Sequence, residues 1–324
     1  MTVSAPVSTL HTALEPGKPP LLRVESGVDA ARWAAERRET IRAFVAEHGS
    51  LLVRGLGLPD AARSEAVFRQ LGDLITETEA FASRGRYAQG VYTASKWPPN
   101  QQMCMHHELS YALKVPSLML FACVVPSAAG GATPVADAAT VLEALPPELV
   151  KRFARLGWLL IRNYNDDIGA SLADAFATDD RKAIESYCRA QDIRFEWQDG
   201  GGGLRTWQRR RAIVPHPLTG RRCWFNQIAF LSEWTMAPDL REYLVEVYGA
   251  DRLPFNTAFG NGDPIGADVV QVINDVYEAH TLREPWQAGD LLVVDNIRTT
   301  HGRERFEGPR EIVVALADGV RLAG

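Results

Sequence analysis

The chain has 324 residues, of which 46% are hydrophobic and 23% are charged, and its formal net charge at pH 7 is -5. These values are ordinary for a globular protein with enough apolar material for a large core. The negative charge and the dispersed basic residues argue against a nucleic-acid partner. No uninterrupted apolar stretch is long enough to span a bilayer, so we expect no membrane partner either.

The first part of the chain is predicted to be largely helical. Residues 1–24 are predicted to form a flexible lead-in. Residues 25–324 are predicted to form a single domain, because no linker rich in Pro, Ser or Gly divides this part of the chain into two self-sufficient halves. Apolar residues at helical spacing predict helices over residues 29–48 and 60–71. A short apolar run predicts a strand between them, over residues 50–55.

The segment over residues 84–100 has little periodicity and carries Gly, Ser, Tyr and a Pro-Pro pair. It is predicted to be a functional loop that covers a site, although a mobile surface loop would have the same composition. An apolar run predicts a strand over residues 118–125, and a Gly-Gly-Ala-Thr-Pro sequence predicts a turn over residues 130–134. The glycine run at residues 200–203 is predicted to be a flexible turn.

The rest of the chain alternates between helical and extended segments. The same signals predict helices over residues 138–156, 172–191 and 267–278, and strands over residues 212–214, 223–230, 290–295 and 311–317. No Gly-rich phosphate loop joins a strand to a helix, so a dinucleotide-binding fold is not expected. We predict a mainly β protein with α inserts, built on a double-stranded β-helix (jelly-roll) core decorated by helices.

The four cysteines form no CxxC pair, and no secretory signal precedes them. Free thiols and a reducing, cytoplasmic location are therefore expected. Cys104 lies two residues before His106, but we predict a buried thiol there rather than a metal ligand.

Two short motifs carry the chemistry of the chain. The first contains His106, His107 and Glu108, and the second runs from Asp295 to His301. Alternate residues of an extended segment point the same way, so His106 and Glu108 can reach one metal ion. Two histidines and one carboxylate are the ligand set of non-heme Fe(II) oxygenases, which keep the other positions open for cosubstrate and dioxygen. We therefore predict His106, Glu108 and His301 as metal ligands.

Arg310 and Thr133 are the candidates for binding an anionic cosubstrate. The fork of Arg310 can make two parallel hydrogen bonds to a carboxylate, and the hydroxyl of Thr133 can add a third. From composition alone, Arg310 could as well be a surface arginine, and Thr133 could as well be a turn residue. His107 is predicted to hydrogen-bond behind the metal ligands or to contact substrate, rather than to bind the metal.

Substrate contacts are predicted in the loop over residues 84–100 and in the second motif. A carboxylate or acyl group of the substrate would need cations and aromatic rings, which the loop supplies, while the second motif adds the cation of Arg298. The candidate residues are Arg84, Arg86, Tyr92, Trp97 and Arg298.

In these motifs the chain resembles the TauD/TfdA superfamily of Fe(II)- and 2-oxoglutarate-dependent dioxygenases. More narrowly, it is similar to the SyrP-like branch, whose members modify amino-acid units during nonribosomal peptide biosynthesis. The resemblance covers about residues 41–316. Besides the two motifs, it is carried by Leu51-Leu52-Val53-Arg54-Gly55, Gly90-Val91-Tyr92-Thr93, Gly130-Gly131-Ala132-Thr133-Pro134, His216-Pro217-Leu218-Thr219-Gly220, Trp224-Phe225-Asn226-Gln227, Trp286-Gln287-Ala288-Gly289-Asp290 and Gly308-Pro309-Arg310.

The resemblance implies a set of roles. His106, Glu108 and His301 match the iron ligands, and Thr133 and Arg310 match the residues that contact a carboxylate of 2-oxoglutarate. Asn226, in a segment that faces the site in such folds, is a further candidate contact. With Fe(II), 2-oxoglutarate and O2, the implied reaction is hydroxylation of an unactivated C–H bond of an amino acid, either free or tethered to a peptidyl carrier protein.

Two positions depart from the family pattern. His107 stands where this branch often has Asn, so the substrate contacts are expected to differ. Glu108 stands where the wider superfamily usually has Asp, which keeps the iron triad complete. Related halogenases have a small residue at this position to admit halide, so Glu108 argues against halogenation.

Other functions remain open at this point. Desaturation or epoxidation would use the same residues as hydroxylation. A jelly roll with a degraded pocket would be a non-catalytic metal- or ligand-binding protein, and a zinc hydrolase would use a similar triad. The complete triad together with Arg310 favours the oxygenase, because neither alternative has a task for a cosubstrate anchor.

Overall fold

The computed structural model describes residue 10 and residues 12–76, 84–94, 97–165, 167–198 and 203–322. The start of the predicted lead-in and the first three glycines of the run at residues 200–203 lie outside this part of the chain. Within it, the strands are β1 (Thr12–Ala13), β2 (Leu21–Arg23), β3 (Ser50–Arg54), β4 (Arg86–Ala88), β5 (Val91–Thr93), β6 (Met103–His106), β7 (Lys114–Val125), β8 (Ala129–Gly130), β9 (Val135–Asp137), β10 (Trp158–Tyr164), β11 (Arg194–Trp197), β12 (Leu204–Arg210), β13 (Ile213–Pro215), β14 (Arg222–Trp224), β15 (Phe255–Phe259), β16 (Leu291–Asp295), β17 (Thr299–Arg303), β18 (Phe306–Glu307) and β19 (Glu311–Arg321).

The helices lie between these strands. They are α1 (Ala30–His48), α2 (Ala61–Leu71), α3 (Ala138–Ala144), α4 (Pro147–Leu156), α5 (Leu172–Phe176), α6 (Arg181–Ala190), α7 (Pro238–Tyr248) and α8 (Ala267–Ala279), with single 3₁₀ turns at Glu233–Thr235 and Ala250–Arg252. In the described part of the chain, no helix is both long and apolar enough to cross a membrane.

The largest sheet has eight strands in the order β1-β2-β3-β16-β7-β19-β5-β4. Neighbouring strands are antiparallel, except for the parallel pair β2 and β3. Along β7, Met119 and Phe121 face one apolar cluster, whereas Leu118 and Leu120 face the cluster that contains the helices α1 and α2. The period of two in a strand therefore separates an inner face from a helix-covered outer face.

A three-stranded sheet in the order β6-β17-β9 lies opposite the inner face of the large sheet. His106 on β6 is paired with His301 on β17, which is also paired with Val135 on β9. The two sheets and the apolar cluster between them form the jelly-roll core, which confirms the predicted fold class. A further sheet in the order β11-β12-β10-β15 packs with α5 and α6 as an insert on this core.

The predicted helix over residues 138–156 is two helices. Leu145 is extended, with a ψ of 147°, and Pro146 and Pro147 follow it. Because a residue before proline avoids the helical region, α3 ends there, and α4 begins with Pro147 in its first turn. The predicted helix over residues 172–191 is also divided: Ala177 is left-handed after α5, and Asp180 caps α6.

Three other predictions need correction. The loop over residues 84–100 contains the strands β4 and β5, which add to the edge of the large sheet. The strand over residues 223–230 ends at Trp224, because the side chain of Asn226 bonds to the main chain and turns it. The flexible lead-in predicted over residues 1–24 includes β2, which pairs with β3 in the large sheet, so the prediction is wrong for those residues. The single domain over residues 25–324 stays a prediction.

Candidate active site

A pocket lies between the two sheets of the jelly roll. The large sheet lines it with the apolar side chains of Phe121, Ile312 and Val314, and the small sheet contributes His106 and His301. The polar or charged side chains that line it are Arg84, His106, Glu108, Thr133, His301, Arg303 and Arg310. The pocket therefore combines a set of apolar side chains with a set of polar and charged ones.

Three of these residues form a cluster that could hold a metal ion. One ligand atom from each of His106, Glu108 and His301 lies within 4.8 Å of the other two. Each residue is at most 6% exposed. His106 and His301 are opposite each other in the β6–β17 pair, and their ring centroids are 4.6 Å apart. Strand pairing therefore joins the two motifs that lie far apart in the sequence.

The remaining contacts of these side chains suit metal donors. Nδ1 of His106 lies 2.8 Å from the carbonyl oxygen of Cys104. In the tautomer that donates this hydrogen bond, Nε2 keeps its lone pair for a metal. Glu108 accepts a hydrogen bond from Arg84 through Oε2 at 2.8 Å, and a carboxylate has a second oxygen to offer. Nδ1 of His301 is buried without a hydrogen-bond partner in the described part of the chain.

The electrostatics keep all three donors unprotonated. Burial lowers the pKa of His106 and lowers that of His301 further below the usual range, with nearby ring charges adding to the shift at His301. Burial acts to raise the pKa of Glu108, but the guanidinium of Arg84 leads the opposing contributions, and the net pKa is lowered. Two neutral imidazoles and an ionised carboxylate are the form that a divalent metal binds. These residues therefore fit an iron ion.

Arg310 and Thr133 line the same pocket with polar groups that an anion could bind. Nε of Arg310 donates to the carbonyl oxygen of Gly131 at 2.9 Å, and no carboxylate in the described residues pairs with this arginine. Burial lowers its pKa to about 10, which still leaves a cation at neutral pH. The Thr133 hydroxyl accepts from Nε1 of Trp286 at 3.2 Å, so its own proton remains for an anion. Trp286 was not among the predicted site residues, and its only signal in the sequence was its place in a family motif.

Arg303 also lines this pocket, but its hydrogen bonds go elsewhere. Its two Nη atoms donate to the carbonyl oxygens of Trp97, Pro98 and Gln101, at 2.6 to 2.9 Å. The prolines of this segment have no N–H to donate, so the segment cannot pair as a regular strand. Arg303 therefore holds the segment against β17, whereas Arg310 is the arginine that can bind a carboxylate.

The structure separates the predicted substrate contacts. Only Arg84 lines the pocket, where it pairs with Glu108. Arg86 is exposed on β4, and Tyr92 is buried in the apolar core on β5. The ring of Trp97 packs 5.6 Å from that of Phe230, outside the pocket lining. Arg298 pairs at 2.9 Å with the carboxylate that caps α3 and is a structural residue.

His107 and Asn226 are also placed away from the pocket, which corrects their predicted contacts with substrate and cosubstrate. The ring of His107 is fully buried, packs 4.8 Å from Phe225, and has Nδ1 2.5 Å from the carbonyl oxygen of Asn296. The alternative prediction for His107, a hydrogen bond behind the metal ligands, agrees with this position. The side chain of Asn226 donates to Ala212 and accepts from a nearby main-chain amide.

Comparisons with known proteins agree with this geometry. Residues 13–316 match the family model "Taurine catabolism dioxygenase TauD, TfdA family". The "Dapdiamide synthesis protein DdaC" of Enterobacter agglomerans is 34% identical over 278 residues, which are 86% of this chain and 84% of the relative. The "Clavaminate synthase-like protein At3g21360" of Arabidopsis thaliana is 28% identical over 280 residues, covering 83% of this chain and 82% of that protein.

A solved structure shares the fold at low sequence identity. PvcB, "an Fe, alpha-ketoglutarate dependent oxygenase from an isonitrile synthetic pathway", has a TM-score of 0.54, an identity of 16%, and coverage of 96% of this chain and 92% of its own. The family match covers nearly the whole chain and includes every residue of the pocket. The protein therefore belongs to the TauD/TfdA family and is an Fe(II)- and 2-oxoglutarate-dependent dioxygenase.

Proposed function

We propose that this enzyme hydroxylates an unactivated C–H bond of a small amino-acid-like substrate in natural-product biosynthesis. One observation carries the proposal: a buried His-Glu-His cluster shares a single pocket with an arginine that has no carboxylate partner in the described residues. Similarity to a dapdiamide synthesis protein, and in fold to an oxygenase of an isonitrile pathway, supports the biosynthetic context.

In this proposal, His106, Glu108 and His301 bind Fe(II), and Thr133 and Arg310 bind a carboxylate of 2-oxoglutarate. When bound, the iron with 2-oxoglutarate and dioxygen supplies the oxidising power for C–H cleavage, and 2-oxoglutarate leaves as succinate and carbon dioxide. The protein's own contribution is the placement of these groups. Its charges meet the anionic cosubstrate in a buried site, where they act more strongly than in water.

The apolar part of the pocket has a separate task. Phe121, Ile312 and Val314 project from the large sheet toward the cluster and exclude water from that side. Arg84 lies at the same pocket with its guanidinium on Glu108, so a substrate carboxylate would meet a cation beside the metal ligands. We propose Arg84 as the substrate contact among the predicted candidates. A free amino acid and a carrier-tethered aminoacyl unit are the two substrate forms to compare.

The test is an assay of succinate formation. Purified protein would be incubated with Fe(II), ascorbate, 2-oxoglutarate and oxygen, against panels of free amino acids and of aminoacyl carrier proteins. Mass spectrometry should detect succinate and, with the right substrate, a product heavier by one oxygen atom. Loss of two hydrogens instead would indicate desaturation.

The controls separate this function from the alternatives. His301→Ala removes one proposed ligand and should abolish succinate formation while the protein stays folded. Iron-loaded wild-type protein that forms no succinate, with or without substrate, would favour a binding protein. Substrate turnover that continues without oxygen would favour a hydrolase.

A further inference from the structure

Asn296 is a fully buried amide at the centre of the contact between the two motifs. It lies in the turn between β16 and β17, and its side chain uses both of its N–H donors and accepts one hydrogen bond at Oδ1. Oδ1 accepts from the main-chain N–H of Glu108 at 2.8 Å. Nδ2 donates to the carbonyl oxygen of Glu108 at 3.0 Å and to that of Pro116 at 2.9 Å.

These bonds determine the direction of the Glu108 side chain. A single side-chain amide holds both the N–H and the C=O of Glu108, so the peptide groups on both sides of its Cα are fixed. The next residue, Leu109, has a φ of +52°, in the left-handed region. This region costs a non-glycine residue about 1–2 kcal/mol, so the tight turn after Glu108 needs support from outside the turn.

The main chain of Asn296 is also fixed, both to the first motif and to β7. The main-chain carbonyl of Asn296 lies 2.5 Å from Nδ1 of His107, and its N–H donates to Ser117 at 3.0 Å. The adjacent Asp295 stabilises the turn, because its Oδ1 accepts hydrogen bonds from the main-chain N–H groups of Ile297 and Arg298, both at 2.9 Å. Its Oδ2 lies 2.8 Å from Nε2 of His216. The turn that carries Asn296 is therefore rigid, and β17 with His301 begins directly after it.

We propose that Asn296 is a positioning residue that sets the distance and angle between Glu108 and His301, and through them the affinity of the site for its metal. This inference rests on the proposed roles of Glu108 and His301 as ligands. It adds a residue that touches neither metal nor substrate. Strand pairing alone leaves Glu108 beyond the end of β6, where the Asn296 amide is the contact that holds both polar groups of its main chain.

The experiment measures Fe(II) affinity under anaerobic conditions, with Asn296→Asp as the main variant. Aspartate has almost the same shape, but it places an oxygen where Nδ2 now donates to two carbonyl groups. Residues that orient metal ligands typically contribute 10- to 100-fold to metal affinity, so we expect a loss of about that size. The visible band formed with Fe(II) and 2-oxoglutarate should also shift, because the ligand geometry changes.

Asn163 provides a matched control. It is also buried and donates from Nδ2 to two main-chain carbonyls, those of Asp251 and Leu253, but it lies on β10 and does not line the pocket. Asn163→Asp should reduce stability without changing Fe(II) affinity. If Asn296→Asp does not fold, Asn296→Ser keeps one hydroxyl for hydrogen bonding and should give an intermediate loss.

Two results would overturn the inference. Fe(II) affinity of a folded Asn296 variant within about threefold of wild type would show that the amide does not position the ligands. Equal losses in the Asn296 and Asn163 variants would show a general structural effect. Failure of the proposed function itself looks different, because iron-loaded wild-type protein would then form no succinate, whatever the Fe(II) affinities of the variants.

Discussion

Replacement of Arg310 is the sharpest test of the cosubstrate site. Its Nε donates to Gly131, and the two Nη groups have no carboxylate partner in the described residues, so they are available for 2-oxoglutarate. Gly131 has a φ of +73°, and a Cβ there would lie 3.2 Å from Cδ of Arg310, so glycine allows this close packing. Lysine keeps the charge but cannot present two parallel donors.

The magnitude follows from these contacts. Arg310→Lys loses one charge-assisted hydrogen bond, worth about 1.5–3 kcal/mol, so the Kd for 2-oxoglutarate should rise by about 10- to 150-fold. Arg310→Met also leaves the buried carboxylate unpaired, which costs about 2–5 kcal/mol and at least about 30-fold in Kd. The Fe(II) affinity should change little, because Arg310 does not belong to the His-Glu-His cluster.

The assay is an anaerobic titration of the Fe(II) protein with 2-oxoglutarate, followed through its weak visible charge-transfer band. Arg305→Lys is the matched control, because Arg305 is exposed in the segment between His301 and Arg310. It should leave the Kd unchanged. A Kd for Arg310→Lys within about threefold of wild type would refute the assignment and direct attention to Arg303.

Three further predictions follow from other contacts. Arg84→Met should raise the pKa of Glu108, because the guanidinium that now lowers it is lost, so Fe(II) binding should be lost at a higher pH than in wild type as the solution is acidified; equal pH profiles would contradict this pairing. Burial lowers the pKa of His107 to about 4, below the ordinary 6.5. Between pH 6.5 and 4, His107 is therefore protonated in the unfolded chain but not in the folded protein. Stability of the metal-free protein should therefore fall as pH falls from about 6.5 to 4, with His107 contributing up to about 3 kcal/mol, and pH-dependent urea melts of His107→Asn should show a smaller slope than wild type, because the contributions of His106 and His301 remain. Asp290→Ala should lower the free energy of unfolding by about 3 kcal/mol in urea melts, because the buried Arg54 keeps only Glu284 as an acidic partner; a change below about 1 kcal/mol would argue against it.

The sequence predicted the elements whose signals are local. Helices α1, α2 and α8 begin and end within two residues of their predicted bounds, because apolar spacing and terminal capping act over a few turns. The helix boundaries that were predicted wrongly also have local causes. The sequence contains the pair Pro146 and Pro147, and because Pro146 restricts the residue before it, the helix predicted over residues 138–156 is divided into α3 and α4.

The types of residue in the site could also be read from the sequence. His106 and Glu108 lie two positions apart, and the linked motif with His301 and Arg310 indicates an iron site with a cosubstrate anchor. Their side-chain chemistry does not depend on the fold. It therefore predicted the reaction class, which the family match confirms.

Only the tertiary structure decided which of several similar side chains does what. Arg303 and Arg310 line one pocket, but the Nη groups of Arg303 donate to carbonyl oxygens of the segment Trp97–Gln101. Arg310 donates only through Nε, to Gly131, among the hydrogen bonds of the described residues, so its Nη groups could bind an anion. Asn226 was a candidate for the site and Asn296 was not, yet the structure uses the first in a local turn and the second between the two motifs. Residue type determines which bonds a side chain can make, whereas its partners depend on segments that only folding brings together.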